Sequence, residues 1–334
     1  MKVYILSTGN ISPQHSMDAD AFFQSRIETS DNFFKAQEPD YTTFIDSKMI
    51  RRMSRIVKMG VAASTTCLRN AGVEMPAAIL TATAYGCLED SATFLRKMIE
   101  FDEQMLSPTA FIQSTHNTVG AQIALLLKCH HYNNTIVHRA FSFENALTEA
   151  SLLLEEGVSP VLVGAIDEIT DDRHAILSRF GLYKKDSGNI AGEGAAFFLL
   201  SKEPGNDFQA ILKAVQTLYK PEIEPEDIGR FLAAHEIENE TPGLILHAET
   251  GHDKAKEKNC QVLKTAFPDT LEFSFKSLCG DFPTSSGFAL WFASLLLKEQ
   301  RAPVWMHGLK FPLKNIFIHQ HDGLHHSFFL ISSS

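Results

Sequence analysis

The sequence predicts an α/β protein with a buried, layered sheet, built as one domain from two similar halves. Three observations predict it. Short continuous apolar runs alternate with helix-length amphipathic stretches throughout, no low-complexity linker interrupts them, and the second half repeats a pattern of the first. Runs such as Val161-Leu162-Val163-Gly164-Ala165 and Ala195-Ala196-Phe197-Phe198-Leu199-Leu200 suit strands covered on both faces, because a sheet with one wet face would alternate.

In chain order, residues 1–6 read as a first strand, and the apolar face recurring over Arg51 to Asn70 predicts a helix. Ile79 to Ala84 is a β-like run that ends at Gly86, and Thr118 to Leu127 is a second amphipathic helix. Thr135-Ile136-Val137 predicts a strand, a turn follows, and a helix runs from about Glu144 to Glu156. Two strands come next, around Val163 and Phe198. Pro204, Gly205, Pro221 and Pro225 mark the segment from 202 to about 240 as loose, a join between halves. Leu244-Ile245-Leu246 is a strand, Ser285 to Lys298 an amphipathic helix, and Phe328 to Ser332 a closing strand.

The halves correspond in three places. Phe141-Ser142-Phe143 leads a helix ending Ala150-Ser151-Leu152-Leu153-Leu154, and Phe273-Ser274-Phe275 leads one ending Ala293-Ser294-Leu295-Leu296-Leu297. Each half then closes on a strand, Phe197 to Ser201 or Phe328 to Ser332. Matches in the same order predict a duplicated unit. The expectation is a single domain over 1–334, with halves of about 1–203 and 208–334.

Composition narrows the function. Hydrophobic residues make up 44% of the 334 and charged residues 21%, enough apolar matter for a large core and too little charge for global disorder. A formal charge of −10, without a basic stripe, argues against nucleic acid as a partner. Five scattered cysteines without CxxC spacing suit free thiols in a reducing cytoplasm. The apolar run Phe288 to Leu297 is too short to span a membrane.

Four motifs then fall in one order. They are Arg51-Arg52-Met53-Ser54-Arg55 leading to Asn70-Ala71-Gly72, the run from His116 to Ala124, Val163-Gly164-Ala165-Ile166-Asp167-Glu168, and Gly192-Glu193-Gly194-Ala195-Ala196. In this order they resemble the β-ketoacyl synthases, condensing enzymes of the thiolase-like fold. Phe141 to Leu147 and Phe275 to Asp281 look like the divergent branch associated with aryl-polyene and flexirubin pathways. The resemblance implies five layers, α/β/α/β/α, and dimers formed by pairing an edge strand. Asn134 to His138 is the candidate edge. It also implies acyl carrier protein and a second synthase-like chain, or a copy of this one, as partners, and no cofactor.

The family's chemistry needs a cysteine thiolate at a helix N-terminus and oxyanion donors, two histidines or a histidine and an asparagine. Matched on Asn145-Ala146, the cysteine position holds Ala140 and the serine position Ser142. The first histidine is matched by His247 in His247-Ala248-Glu249-Thr250-Gly251, with Glu249 and Gly251 departing from the pattern. At the second, Lys276 is kept in Lys276-Ser277-Leu278-Cys279-Gly280-Asp281, but Asp281 stands where the histidine belongs. An ionised aspartate only accepts hydrogen bonds, and losing one oxyanion donor costs a factor of roughly 10² to 10³.

The resemblance therefore implies a non-condensing subunit, similar to a chain-length factor, with His247 and Lys276 as remnants and Phe141 and Phe143 closing a tunnel. Two other readings stand beside it. One is a decarboxylase or acyltransferase using Ser142 or Cys279, although Ser142 at a helix start reads first as a cap and Cys279 as a buried thiol. The other is an acyl-binding homodimer. His319, His321, His325 and His326 are the densest histidine group, and His319 and His321 share a strand face, yet only Asp322 is spaced to complete a metal site; the expectation is no metal. Lys48, Arg51, Arg52, Arg55 and Lys58 are the best local carrier-protein patch.

Overall fold

The structure is a computed structural model describing all residues except 1, 105, 184–186, 206, 238–240, 251–253 and 334, and only the backbone of 254–256. Of the residues singled out above, Gly251 lies outside the described set.

Ten strands form one continuous sheet. The first half supplies β1 (Val3–Ile11), β2 (Ala78–Ala82), β3 (Tyr132–Ile136), β4 (Val161–Asp167) and β5 (Gly194–Ser201). The second supplies β6 (Ala210–Tyr219), β7 (Leu244–His247), β8 (Leu271–Ser274), β9 (Asn315–Asp322) and β10 (His325–Ser332). The spatial order is β8-β7-β9-β10-β6-β1-β5-β4-β2-β3. Counted within each half, both read third, second, fourth, fifth, first. In both halves the fifth strand is antiparallel to its neighbours, and the second is parallel to the third and fourth. The half-sheets join through a short antiparallel contact, Val3 with Leu212, Tyr4 with Ile211 and Ile5 with Ala210.

Helices make the other three layers. On the outer face of the first half-sheet lie α1 (Arg55–Ala71) and, beyond the surface helices α2 (Leu88–Glu100) and α3 (Pro108–Gln113), α4 (Thr118–Leu127). Between the half-sheets lies α5 (Ser142–Glu155); α6 (Asp171–Arg179) stays on the surface. The outer face of the second half-sheet carries α7 (Pro225–Ala234) and α8 (Lys254–Ala266), and α9 (Ser286–Glu299) joins α5 in the centre. The duplicated unit and its five layers are as the sequence predicts.

Three local expectations are corrected. The helix expected to be amphipathic over 285–298 is α9, and every residue from Ser286 to Leu297 is buried. A helix between two sheets has no wet face, so it is apolar all round. The Phe-Ser-Phe match is not an equivalence: Phe141-Ser142-Phe143 enters α5 directly, whereas Phe273 and Ser274 end β8, well before α9. The closing strands do correspond, since β5 and β10 are both fifth strands of eight residues. The segment expected to be loose contains β6 and α7. Pro225 sits in the first turn of α7, where its fixed φ suits a helix, and Glu224 and Asp227 form a capping box.

Two motif carboxylates act as struts. Buried Glu193 takes the two terminal guanidinium nitrogens of Arg55, at 2.6 and 2.5 Å, and the amide N–H groups of Ala36 and Ile169. Buried Asp167 accepts from the Thr83 and Thr284 hydroxyls, both at 2.8 Å, so it ties β4 to the chain entering α9. Beside Glu193, two backbones cross. A Cβ on Gly192 would lie 2.0 Å from the Cys279 carbonyl oxygen and 2.6 Å from Gly280 Cα.

Backbone cannot yield as a side-chain tip can. Gly192→Ala is expected to cost about 3 kcal/mol or prevent folding. Gly229→Ala, inside α7 with nothing within 4 Å of the new methyl, should be neutral or stabilising by up to about 1 kcal/mol. Urea denaturation of the two variants checks the contrast.

Candidate functional site

Ala140, which the resemblance sets at the nucleophile position, lies in a buried turn between β3 and α5. Arg139 adopts a left-handed φ of 51°, and a 3-10 turn over Arg139–Phe141 carries Ala140 into the start of α5. Ala140 is 1% exposed, and its methyl offers no nucleophile. Ser142 holds the turn closed. Its hydroxyl accepts the His138 N–H at 2.7 Å and, with one proton to donate, lies 2.9 Å from Thr83 O and 2.7 Å from Arg139 O. It is fully buried and faces backbone groups, with no base among these partners. Asn145 reaches back to His138 Nδ1 at 2.8 Å.

The phenylalanines on either side part ways. Phe141 lies against the His325 ring, centroids 4.6 Å apart, so the turn abuts the hairpin joining β9 to β10. Phe143 is wholly buried in the central core, 5.5 Å from Phe198. Next along α5, Glu144 is fully buried and accepts the Ser327 hydroxyl at 2.8 Å. Burial pushes its carboxyl up to about 7, because no cation offsets the lost hydration.

The second wall comes from the second half. Lys276 opens a single helical turn, Lys276–Cys279, and is 5% exposed. Its ammonium meets Asp281 at 2.6 Å and donates to His321 O at 2.8 Å. Burial works against that charge, but Asp281 and Asp322 outweigh it and raise the amine above its ordinary range. The Tyr183 hydroxyl reaches Asp281 at 3.3 Å. Asp281, expected where the resemblance sets the second histidine, is thus one half of an ion pair. Cys279 is fully buried, and burial drives its thiol far above the range where a thiolate forms.

His247 ends β7, where its Nδ1 accepts the Glu249 N–H at 3.2 Å. Burial lowers its imidazole to about 4, so it is neutral at pH 7. Glu249 is more deeply tied in than sequence suggested. It meets His321 Nδ1 at 3.1 Å and accepts from Asn259 at 2.9 Å. Burial raises its carboxyl, but the His321 and Asn259 hydrogen bonds and the charges of His321 and Lys276 hold it below the usual range. Lys276, Asp281, His321 and Glu249 therefore form one connected array. Ala140 touches the same hairpin from the other side, through Phe141.

His319 and His321 do share a face, rings near parallel with centroids 6.2 Å apart. His319 Nε2 meets His326 Nδ1 at 3.1 Å, and both rings are pushed down, by burial first and by neighbouring imidazoles second. His321 spends its nitrogens on Glu249 and on Gly323 O, and His325 turns to Phe141 and Tyr219. Among the described residues no group of three or more His, Cys, Asp or Glu is arranged to hold a metal ion. The basic patch is also reduced: Arg55 is taken by Glu193 and Glu38, while Lys48, Arg51 and Arg52 stay exposed. Clefts of about 410 and 820 Å³ open at Thr29 to Asn32 with Gly188 to Ile190, and around Lys213 and Phe311 to Asn315; neither is lined by Ala140. Among the described residues no helix is long and apolar enough to cross a membrane.

A sequence model described as the β-ketoacyl synthase N-terminal domain matches residues 26–215. No curated protein matches the chain. Among solved structures, the ishigamide ketosynthase/chain length factor superposes with a TM-score of 0.79 at 15% identity, covering 100% of this chain and 99% of that one. A type II polyketide synthase acyl-carrier protein in complex with its ketosynthase bound to the hexaketide gives 0.76 at 17%, covering 99% of each. A β-ketoacyl synthase from Burkholderia phymatum STM815 gives 0.80 at 14%, again covering 99% of each. At these identities the likeness is one of fold, and the fold is the thiolase-like one.

Two predictions follow from the buried charges. The Glu144 carboxyl, raised from 4.5 to about 7, adds to stability below its ordinary value and loses that contribution as pH rises through about 7. Glu144→Gln should match the parent near pH 4.5 and exceed it by ~3 kcal/mol above pH 7, read from denaturation midpoints across that range. Lys276→Met removes the cation paired with Asp281 and should cost ~3 kcal/mol, most of it recovered in Lys276→Met/Asp281→Leu; a thermal double-mutant cycle measures the recovery.

Proposed function

The chain belongs to the β-ketoacyl synthase family, its match covering more than half of the residues, and from that premise we propose that it is a non-condensing subunit. It acts as a chain-length factor does, beside an active β-ketoacyl synthase paralogue that works on chains carried by acyl carrier protein. The observation that carries the reading is Ala140, buried where the resemblance sets the nucleophile. The two side chains that could replace it support the same conclusion. The Ser142 hydroxyl is bound to backbone, and burial keeps Cys279 a thiol. The salt bridge from Lys276 to Asp281 adds to this, because an ion-paired carboxylate offers no hydrogen bond to an oxyanion.

In this reading the pathway is of the aryl-polyene or flexirubin kind, the chain is one cytoplasmic domain with halves of about 1–203 and 208–334, and no cofactor takes part. His247 and Lys276 are remnants of the family's site. Phe141, at the turn, is the side chain that closes the passage beside Ala140, and Phe143 backs it from the core.

The test is reconstitution. The purified chain, alone and with a synthase paralogue, is given acyl and malonyl carrier-protein thioesters, and adducts are followed by intact-mass spectrometry. The lone chain should give no adduct and no carbon dioxide, and the mixture should give product. An acyl adduct on Ser142 or Cys279 would instead make the chain an acyltransferase.

A further inference from the structure

The outer face of the second half-sheet carries a stack of imidazoles that plays no part in the proposed function. His319 and His321 of β9 and His326 of β10 lie in near-parallel planes. Ring centroids are 4.4 Å apart for His321 and His326, 5.3 Å for His319 and His326, and 6.2 Å for His319 and His321. His319 and His326 are 0% exposed, and His321 is 9% exposed. The strands of the first half carry no histidine.

The stack sits where the outer helices are fastened. The Glu249 carboxylate joins His321, at 3.1 Å, to the Asn259 amide of α8, at 2.9 Å. The Asn259 side-chain oxygen accepts the Ile223 N–H at 3.5 Å, just before Pro225 opens α7. His319 packs on Phe328, and Phe328 meets Phe231 of α7 with centroids 5.6 Å apart. One connected path thus runs from the stack to both outer helices.

Charge limits what that path can bear. His247 of β7, Glu249 from the loop after it, and Lys276 from the turn after β8 act on the rings. Asp281 and Asp322 act on Lys276. Lys220, on the chain leading to α7, gives its ammonium to Asp227, and the backbone of Lys220 and Pro221 faces His326. His235 of α7 lies against Phe231, and Lys264 of α8 bears on His247. Glu249 is the one carboxylate among the groups acting on the rings, and it lies against His321. A proton on His321 would have that carboxylate beside it. A second proton, on His326, His319 or His247, would have none and would stand next to the first.

Burial, then His321, lowers His326 from 6.5 to about 4, against Glu249 and the backbone of Pro221 and Lys220. Burial takes His247 to about 4 and His319 well below its ordinary value. Imidazoles lowered in this way leave closure unaffected above about pH 6.5. Below that the open state binds protons that the closed state refuses, so closure weakens as pH falls toward about 4.

We infer that the stack is an acid latch: with neutral rings it holds α7 and α8 on the second half-sheet, and protons entering it release that outer layer while the first half stays folded. The latch goes beyond the partner-subunit reading and does not depend on it.

Hydrogen exchange of the full chain tests it, read by mass spectrometry and divided by the intrinsic rate at each pH. Peptides from α7 and α8 are compared with peptides from β4 and β5. Two imidazoles lowered to about 4 each favour opening about twentyfold at pH 5 over pH 7. Exchange in α7 and α8 should therefore rise on the order of a few hundredfold between pH 7 and pH 5, and fall back when pH 7 is restored. β4 and β5 should not change. His326→Phe keeps a ring in the stack without a titrating nitrogen and should reduce the rise about twentyfold. An equal rise in β4 and β5 is ordinary acid unfolding and overturns the inference. A flat response down to pH 5 overturns it, as does a folded His326→Phe chain that responds as the parent does. If that variant does not fold, the parent decides alone. Its opening must take up more than one proton, and a pH slope of one proton or less overturns the latch.

Discussion

The structure depends on sandwiching two helices between two half-sheets. α9 has no face that meets bulk water, and α5 meets it only along Thr148, Leu152 and Glu155, so each must be apolar or find a partner for every polar group it buries. α9 takes the first course, with Leu290, Trp291, Phe292 and Leu296 all inside the core. α5 takes the second at its start, where Ser142 bonds to backbone and Glu144 reaches Ser327. The half-sheets themselves touch through only a few paired residues. It is the central helices, packed against strands of both halves, that make the duplicated units one body.

The same constraint governs the polar groups near the Ala140 turn, which are held by partners. A carboxylate partly withdrawn from water, as that of Asp281 is, is favoured by a cation nearby. Lys276 is that cation, and Tyr183 shares the load. Glu249 is similarly held by His321 and Asn259. The outcome is a wall of paired charges and neutral imidazoles, in which His247 and His326 stay uncharged at neutral pH.

Much of this was legible in the sequence, and the rest fails for identifiable reasons. The buried runs around Val163 and Phe198 announced themselves because strands covered on both faces cannot alternate. Of the residues the motif spacing singled out, Lys276 and Asp281 meet in one ion pair and Ala140 lies buried in the turn before α5. Glu249 read as a departure from a pattern because its partners, His321 and Asn259, come from another strand and another helix. Arg55 read as a surface cation because Glu193 lies 138 residues away. Proline misled at Pro225, where it opens a helix. Local pattern carries secondary structure well; pairing across the fold is decided by topology, which one chain's pattern does not display.

The turn at Ala140 persists for a reason independent of catalysis. The hydrogen bonds that shape it come from Ser142, through its contacts with His138, Arg139 and Thr83, and none requires a sulfur. The same turn ends β3, so whatever fixes the turn also fixes the height of the sheet edge and the direction of Val137, His138 and Arg139. The turn at Ala140 and the end of β3 are thus a single piece of backbone, held by hydrogen bonds within the fold.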